Sequence, residues 1–504
     1  MSASRAFDVV VVGGGSAGCV VAARLSEDPD CRVLLLERGP DLRPLPEILA
    51  RAERRLLVYT ETPYVQMYEA RRSADGSVFH PLAGHILGGG STVNVMAANR
   101  ATPADFAAWG EAVDPLWTWE QVLPVFKRIE HDVDFGESDW HGGCGPLWIQ
   151  RRARPAQFTG WEAAIRDACV ELGYPVRDDL NGPDPYGLGP VPWTIRDGLR
   201  QSAVVAYLDP ARSRPNLTIV DLATVTAVEL DGHRAVGVRF VRQEREERVG
   251  AGEVVLSAGV YHSPQVLMLS GIGPPEELRR HGIPVRHALP GVGENLQDHA
   301  AVFPAFEWRY QGAVEWPGIC PVLLAKSDLS RAVIDLHLIF RGPITIPGAQ
   351  AVAPVGVYLL EQRNRGRLTL AGPDPLAQPA IEPRMLDDDR DTAAIVEGMR
   401  LAGRVVRARA LQGFYGAQLY PEPDEEWSGY ARRTYDSYHH GAGTCRMARA
   451  EEAAGVVNAR LQVRGLSGLR VADASVMPTV VRGNTNLTAL MIGERCADFI
   501  RQGG

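Results

Sequence analysis

Asp8-Val9-Val10-Val11-Val12-Gly13-Gly14-Gly15-Ser16-Ala17-Gly18 decides the fold of this chain. The valine run reads as a strand buried on both faces, because a strand covered on both sides has no polar alternation to keep. The glycines carry it into a helix over residues 19–25. Gly13 allows the tight turn, Gly15 lets backbone approach a pyrophosphate, and Gly18 lets helix and strand pack closely. Ser16 and Ala17 lie in the glycine turn, and the phosphates would face the helix N-terminus. A second apolar strand, Arg32 to Leu36, ends in Glu37, where an acid accepts hydrogen bonds from ribose hydroxyls. Together these residues make a dinucleotide cradle that does not by itself separate one dinucleotide from another.

The totals exclude several function classes. At 504 residues the chain is too long for one simple core and suggests two domains or one large composite. A net charge of -8, with acids and bases interspersed, argues against nucleic acid as a partner, which demands a basic face. Arginine supplies nearly all the positive charge; Lys127 and Lys326 are the only lysines. Seven cysteines without a CxxC pair fit free thiols in a reducing compartment, and no metal site suggests itself. The chain passes from Met1 into its first strand with no room for a signal peptide, and no apolar run approaches the ~20 residues that span a bilayer. The expected location is therefore cytoplasmic.

Along the chain, a proline-punctuated, arginine-rich stretch to about residue 80 reads as a surface excursion with little chemistry. Gly84-His85-Ile86-Leu87-Gly88-Gly89-Gly90-Ser91-Thr92-Val93-Asn94 follows, a glycine-rich backbone suited to lie against a flat or anionic ligand. One helix is expected near Trp161 to Leu172, among loops that include Asn181-Gly182-Pro183-Asp184-Pro185. Leu217 to Val220, Val225 to Leu230 and Ala235 to Val241 read as strands, the last two joined at Asp231-Gly232, a strong hairpin signal. Glu253 to Gly259 would rejoin the nucleotide-binding sheet. Residues 306–435 read as a second, largely antiparallel sheet with a helix from about Asp391 to Arg407. Near the end, Tyr438-His439-His440-Gly441-Ala442-Gly443-Thr444 sets two histidines in a turn, and histidine exchanges protons near neutrality. Gly468 to Pro478 is a short strand ending at Asp473 and Ala474.

Two segments carry a specific resemblance. Gly84 to Asn94 resembles the first signature of the glucose-methanol-choline (GMC) family of FAD-dependent oxidoreductases, and Gly259-Val260-Tyr261-His262-Ser263-Pro264-Gln265 through Gly273 resembles the second. The likeness continues through Pro290 to His299 and into the C-terminus, so it covers essentially the whole chain. There are departures: Val260 where a small residue is usual, and Ala83 and His85 where basic residues are common. The resemblance implies an α/β composite, with a Rossmann-like FAD-binding domain and a substrate domain built on a largely antiparallel sheet. The FAD-binding domain is expected in three pieces, 1–155, 206–305 and 436–504, and the substrate domain in two, 156–205 and 306–435. FAD is expected to contact Gly13, Gly15, Ser16, Ala17, Gly18, Glu37, Gly89, Ser91, Asn94, Val225, Asp473, Ala474 and Asn486. Some relatives attach flavin through a histidine in the first signature; Val93 stands there, so the cofactor is expected to be non-covalent.

The family's catalytic histidine maps to His440 from its position before Gly443-Thr444, leaving His439 as a neighbour. The second member of the catalytic pair maps to Asn484, with Asn486 as the other candidate. The implied reaction oxidises a small-molecule alcohol to an aldehyde or ketone. His440 takes the hydroxyl proton, Asn484 orients the oxygen, and hydride passes to flavin N5. Oxygen, a quinone or a dye would reoxidise the flavin; bulky Tyr438, where family oxidases often have a small residue, points toward a dehydrogenase. Glu315 and Trp316 suit a cationic substrate or a surface loop. One alternative keeps the fold with lyase or light-driven decarboxylase chemistry, the latter requiring a cysteine and an arginine in the substrate cavity that the sequence does not plainly show. Another is a non-catalytic nucleotide-binding protein.

Overall fold

The valines of Phe7–Val12 (β1) sit at the centre of a seven-stranded sheet in a computed structural model that describes residues 7–312, 314, 320–344 and 350–503. Strand β2, Val33–Leu36, pairs in parallel on one side of β1, followed by Leu217–Val220. Strand Arg245–Leu256 pairs on the other side, Val9 to Val12 facing Glu253 to Leu256. This long strand serves two partners. Its apolar end is parallel to β1 and to Leu469–Val471, while its charged outer end runs antiparallel to Arg234–Arg242, which forms the expected hairpin with Thr224–Asp231. Burial on both faces explains the apolar runs: Val10, Val11, Leu35, Val254 and Val255 are all fully enclosed.

Helix α1, Ser16–Leu25, leaves β1 and packs against the last helix, Thr485–Arg501. Gly493 permits the approach, since a Cβ there would stand 2.7 Å from the carbonyl oxygen of Ala17. Ser16 Oγ donates to Asn486 Oδ1 at 2.7 Å, and Arg24 Nε to Glu494 Oε1 at 2.9 Å. The C-terminal segment is thus fastened to the first fold unit.

A second, antiparallel sheet runs in the order Tyr415–Tyr420, Ala305–Trp308, Val352–Leu359, Leu336–Phe340, Pro321–Ala325, Gly187–Pro190, with Ala300–Val302 and Asp436–Ser437 beside it. Alternation divides its faces. Leu336, Leu338, Phe340, Val355 and Val357 pack into the main core with helix Asp389–Val406, while Val322, Leu324 and Tyr358 face a separate cluster with Met96, Val191 and Trp193.

The expected helices are present as Gly160–Glu171 and Asp389–Val406. The stretch before residue 80 is not the idle excursion expected. Leu49, Val58, Ile86 and Val93 form a small core of their own, turning Arg55, Leu56 and Tyr59 into the central cavity. The apolar residues that anchor it are scattered among arginines without a regular period, so no helix or strand pattern marks them. No described helix is long and apolar enough to cross a membrane. Met1 to Ala6, where no leader is expected, and Glu315 and Trp316 lie outside the described residues.

Candidate active site

A cavity of about 700 Å³ opens at the carboxyl ends of the parallel strands and extends beneath the second sheet. Gly13, with φ +96°, occupies the left-handed region, and a Cβ on it would meet Ser257 O at 2.5 Å. Gly18 lies behind the turn, where a side chain would run into the Gly13 carbonyl. Gly15 is different. A Cβ there would find only Ser257 O, at 3.8 Å, so its open side is the cavity. Helix α1 starts here with no side-chain cap and no acid in its first turn, leaving its positive end to an anion.

Glu37 closes the far end. Its Oε2 accepts from Gly14 N at 2.7 Å and its Oε1 from Gly39 N at 2.6 Å, and burial pushes its carboxyl above the usual range despite those bonds. Val225 lies in the same wall. Asp473 accepts from Gly259 N at 2.9 Å and from Ser263 Oγ at 2.5 Å, which binds the second glycine turn to the C-terminal segment. Gly89, Asn94, Ala474 and Asn486 complete the lining, and a Cβ on Gly89 would stand 2.9 Å from Gly15 Cα, so the two glycine loops abut.

At the other end of the cavity stand His440 and Asn484. His439, non-glycine at φ +61°, makes the tight turn that aims its neighbour inward; its own Nδ1 faces Leu82 N at 3.3 Å. Asp298 Oδ1 accepts from His440 N at 2.9 Å, and Ser437 Oγ donates to Asp298 Oδ2. The side-chain bonds fix the tautomer. Asn484 Oδ1 accepts the backbone N–H of Asn99 at 3.2 Å, so its Nδ2 is the group that faces His440 Nε2, also at 3.2 Å. An amide nitrogen only donates, hence Nε2 carries the lone pair and Nδ1 the proton. That Nδ1–H donates to His299 Nδ1 at 2.9 Å. Burial, then the neighbouring His299, His439 and His337, hold His440 well below the ordinary histidine range, and burial holds His299 at about 3. His440 is therefore a neutral base with its free nitrogen beside an amide donor.

Family models described as GMC oxidoreductase match residues 7–301 and 362–493. This chain belongs to the GMC oxidoreductase family. An oxygen-dependent choline dehydrogenase of Chromohalobacter salexigens is 36% identical, the alignment covering 99% of this chain and 96% of the relative. An uncharacterized GMC-type oxidoreductase of Mycobacterium tuberculosis is 38% identical over 98% of this chain and 99% of its own. Among solved structures, pyridoxine 4-oxidase from Mesorbium loti superposes with a TM-score of 0.92 at 29% identity, covering 98% of this chain and 99% of that one. An Aspergillus oryzae formate oxidase variant gives 0.88 at 25%, covering 100% and 99%.

As a GMC oxidoreductase the protein uses FAD, and the residues present fit it: an acid beyond the second strand, an uncapped helix start, two open glycine turns and an enclosed polar end. Two expected contacts are placed otherwise. Ser91 does not line the cavity; its Oγ donates to Gly88 O at 2.7 Å and accepts from Ala203 N at 2.9 Å, so it braces the loop. Gly18 acts through packing behind the turn. Val93 is buried in the small core of Leu49, Val58 and Ile86.

Several residues of the site carry no signal of their role in the sequence. His299 and Asp298 belong to the segment Pro290–His299, but nothing in the sequence says that the second sheet brings them against His440. The amide of Asn99, 3% exposed, lines the cavity with neither Nδ2 nor Oδ1 partnered. Cys320 and Arg341, a cysteine and an arginine of the kind decarboxylase chemistry requires, both line the same cavity. Cys320 stands just before strand Pro321–Ala325 and Arg341 just after its antiparallel neighbour Leu336–Phe340, 21 positions apart, a proximity that only the strand register creates.

Glu130, Asp132 and His141 bring their ligand atoms close together outside this cavity. Arginine occupies the place a cation would take: Arg100 Nη2 donates to Glu130 Oε1 at 2.6 Å and Arg151 Nη1 to Asp132 Oδ2 at 2.7 Å, while His141 Nε2 faces Asp179 Oδ2 at 2.9 Å. Burial opposes the charge on His141, but Asp132, Asp179 and Glu130 push it up to about 10. The cluster is an ion-pair network that braces residues 98–100, since Asn181 bonds both Ala98 O and Arg100 N.

Proposed function

We propose that this GMC oxidoreductase oxidises an alcohol to an aldehyde or ketone, with His440 as general base and Asn484 as the group that orients the oxygen. One observation carries the reading: the lone pair of His440 Nε2 faces an amide donor 3.2 Å away inside the cofactor cavity. A hydroxyl entering there accepts from Asn484 Nδ2 and donates to His440 Nε2. As its proton moves to Nε2, the developing alkoxide weakens the adjacent C–H bond, and His299 accepts the Nδ1–H of the imidazolium that forms. General-base help of this kind contributes roughly 10²- to 10⁴-fold. FAD, held by the Gly13–Ala17 turn, Glu37, Gly89, Asn94, Val225, Asp473, Ala474 and Asn486, supplies the two-electron acceptor. One relative is named a choline dehydrogenase and one solved structure a pyridoxine 4-oxidase, which supports an alcohol as the substrate class. Seven free cysteines support a cytoplasmic setting.

An alcohol panel mixed anaerobically with the holoenzyme, with oxygen uptake and dye reduction followed side by side, tests the activity and identifies the acceptor. Bleaching of the flavin by an alcohol supports the reading and disposes of a non-catalytic nucleotide-binding protein. No bleaching by any alcohol defeats it. One observation favours a second reading, decarboxylation on the same fold: Cys320 and Arg341 share the cavity, and burial pushes the Cys320 thiol up to about 12, so it stays protonated. Carbon dioxide released from a fatty acid only under illumination would support that reading instead.

A further inference from the structure

We infer that the alcohol oxidised at this site carries a carboxylate, which Arg341 holds while the hydroxyl meets His440 and Asn484. The inference rests on the alcohol-oxidising reading and specifies its substrate class.

The placement follows from strand alternation. In Leu336–Phe340 the even positions fill the helix-side core, and His337 and Ile339 point to the cavity; Arg341 is next on that side. Its Nη2 donates to Tyr358 Oη at 2.7 Å, and its guanidinium carbon lies 4.5 Å from the centre of the Phe303 ring. A guanidinium has five N–H donors arranged to grip a carboxylate edge-on. Among the described residues, no carboxylate pairs with Arg341. The acids of the cavity wall have other engagements: Glu37 with Gly14 N and Gly39 N, Asp473 with Gly259 N and Ser475 N, and Asp436 with Ser437 N. An enclosed cation is costly without a counter-charge, and among the described residues no acid supplies one to Arg341.

Aromatic rings line the wall between the two ends. Tyr358 stacks on Tyr438 with centroids 3.9 Å apart, and Tyr438 lies 4.2 Å from the His440 ring. A stack of two tyrosine rings thus leads from the arginine's hydroxyl partner to the base and forms one wall between them. Tyr59, Trp193 and Phe303 add further aromatic wall, and the unpartnered amide of Asn99 offers one more donor and acceptor at the hydroxyl end. A cationic alcohol meets the opposite of what it needs here.

The test compares three benzylic alcohols on the holoenzyme: 4-(hydroxymethyl)benzoate, its neutral carboxamide, and its trimethylammonium counterpart. The carboxylate should exceed the carboxamide in kcat/KM by about tenfold or more, with the cation poorest. Arg341→Gln should reduce that ratio to near unity, and Arg341→Lys should restore part of it. Titration with benzoate, read as a perturbation of the flavin spectrum, reports the anion site without turnover and should weaken by a similar factor in Arg341→Gln. Equal use of carboxylate and carboxamide, or a ratio that survives Arg341→Gln, would overturn the inference. Benzoate binding that depends on Arg341, with no alcohol reducing the flavin, would instead defeat the oxidation reading alone.

Discussion

Asn484 divides its amide between two neighbours, giving Oδ1 to the backbone N–H of Asn99 and Nδ2 to His440 Nε2, each at 3.2 Å. The first contact orients the second, so the backbone at residue 99 sets which atom meets the base. His440→Ala should keep its yellow flavin, because none of the cradle contacts involves that ring. It should lose anaerobic, alcohol-dependent bleaching by about 10²- to 10⁴-fold. Bleaching at the parental rate would remove His440 from the mechanism.

Asn484→Asp puts a carboxylate oxygen where the amide donor stands. An adjacent negative charge favours the imidazolium, so the His440 pKa rises and the base takes up a proton at a higher pH than in the parent. In the parent, His440 stays neutral far into acid, and a fall in rate near pH 6 is expected from Asp298, which burial pushes up to about 6 and which accepts from His440 N. The variant's rate of flavin reduction should therefore begin to fall at higher pH than the parent's. Coincident pH profiles would show that the amide does not control the base.

How much of this was legible follows from which contacts are local. The cradle is a contiguous run, and Gly13, Gly15 and Glu37 could be assigned because each role depends on neighbours within one βαβ unit. His440 and Asn484 came from motif spacing near the C-terminus. His299 did not, because its meeting with His440 across 141 positions depends on Ala300–Val302 lying beside Asp436–Ser437. Arg341 was hidden for the same reason: alternation says which face a residue takes, but not what the face covers. Ser91 shows the converse, since a small polar residue in a glycine-rich loop serves a ligand or the loop itself, and its Oγ is taken up by Gly88 and Ala203.

His299→Phe removes the acceptor for the Nδ1–H of His440 while keeping a buried ring. The neutral base then loses the bond that selects its tautomer, and the imidazolium loses its partner. We expect flavin content to be unchanged and the rate constant for flavin reduction to fall by about tenfold or more, with a smaller change in the apparent alcohol Kd. A change confined to that Kd would place His299 in binding instead.

The cradle makes separate predictions for its glycines. Gly13→Ala places a Cβ against Ser257 O in a left-handed backbone and should lower the yield of folded protein. Gly15→Val projects into open cavity and should leave the apoprotein's thermal transition within a few degrees while weakening FAD binding, measured by flavin retained on gel filtration. With Val93 at the position of histidyl attachment, acid precipitation of the holoenzyme should release all of its flavin to the supernatant; colour in the pellet would show a covalent bond elsewhere.

The buried network around His141 gives the molecule an alkaline limit. Its folded pKa, raised to about 10, lies above the ordinary value of about 6.5. Protonated His141 therefore contributes stability that is complete below about pH 6.5 and is lost as pH rises toward 10. Asp132 and Asp179 run the other way: burial raises them, but hydrogen bonds from His141 and the charge of Arg151 bring both below the usual range, so their contribution is lost in acid. The thermal transition should thus fall between pH 7 and 10. In His141→Gln that alkaline slope should flatten, with the transition already lower at pH 7, because Asp132, Asp179 and Glu130 lose a cation they surround. An unchanged slope in the variant would mean that His141 is neutral in the folded protein and that the arginines alone balance the three acids.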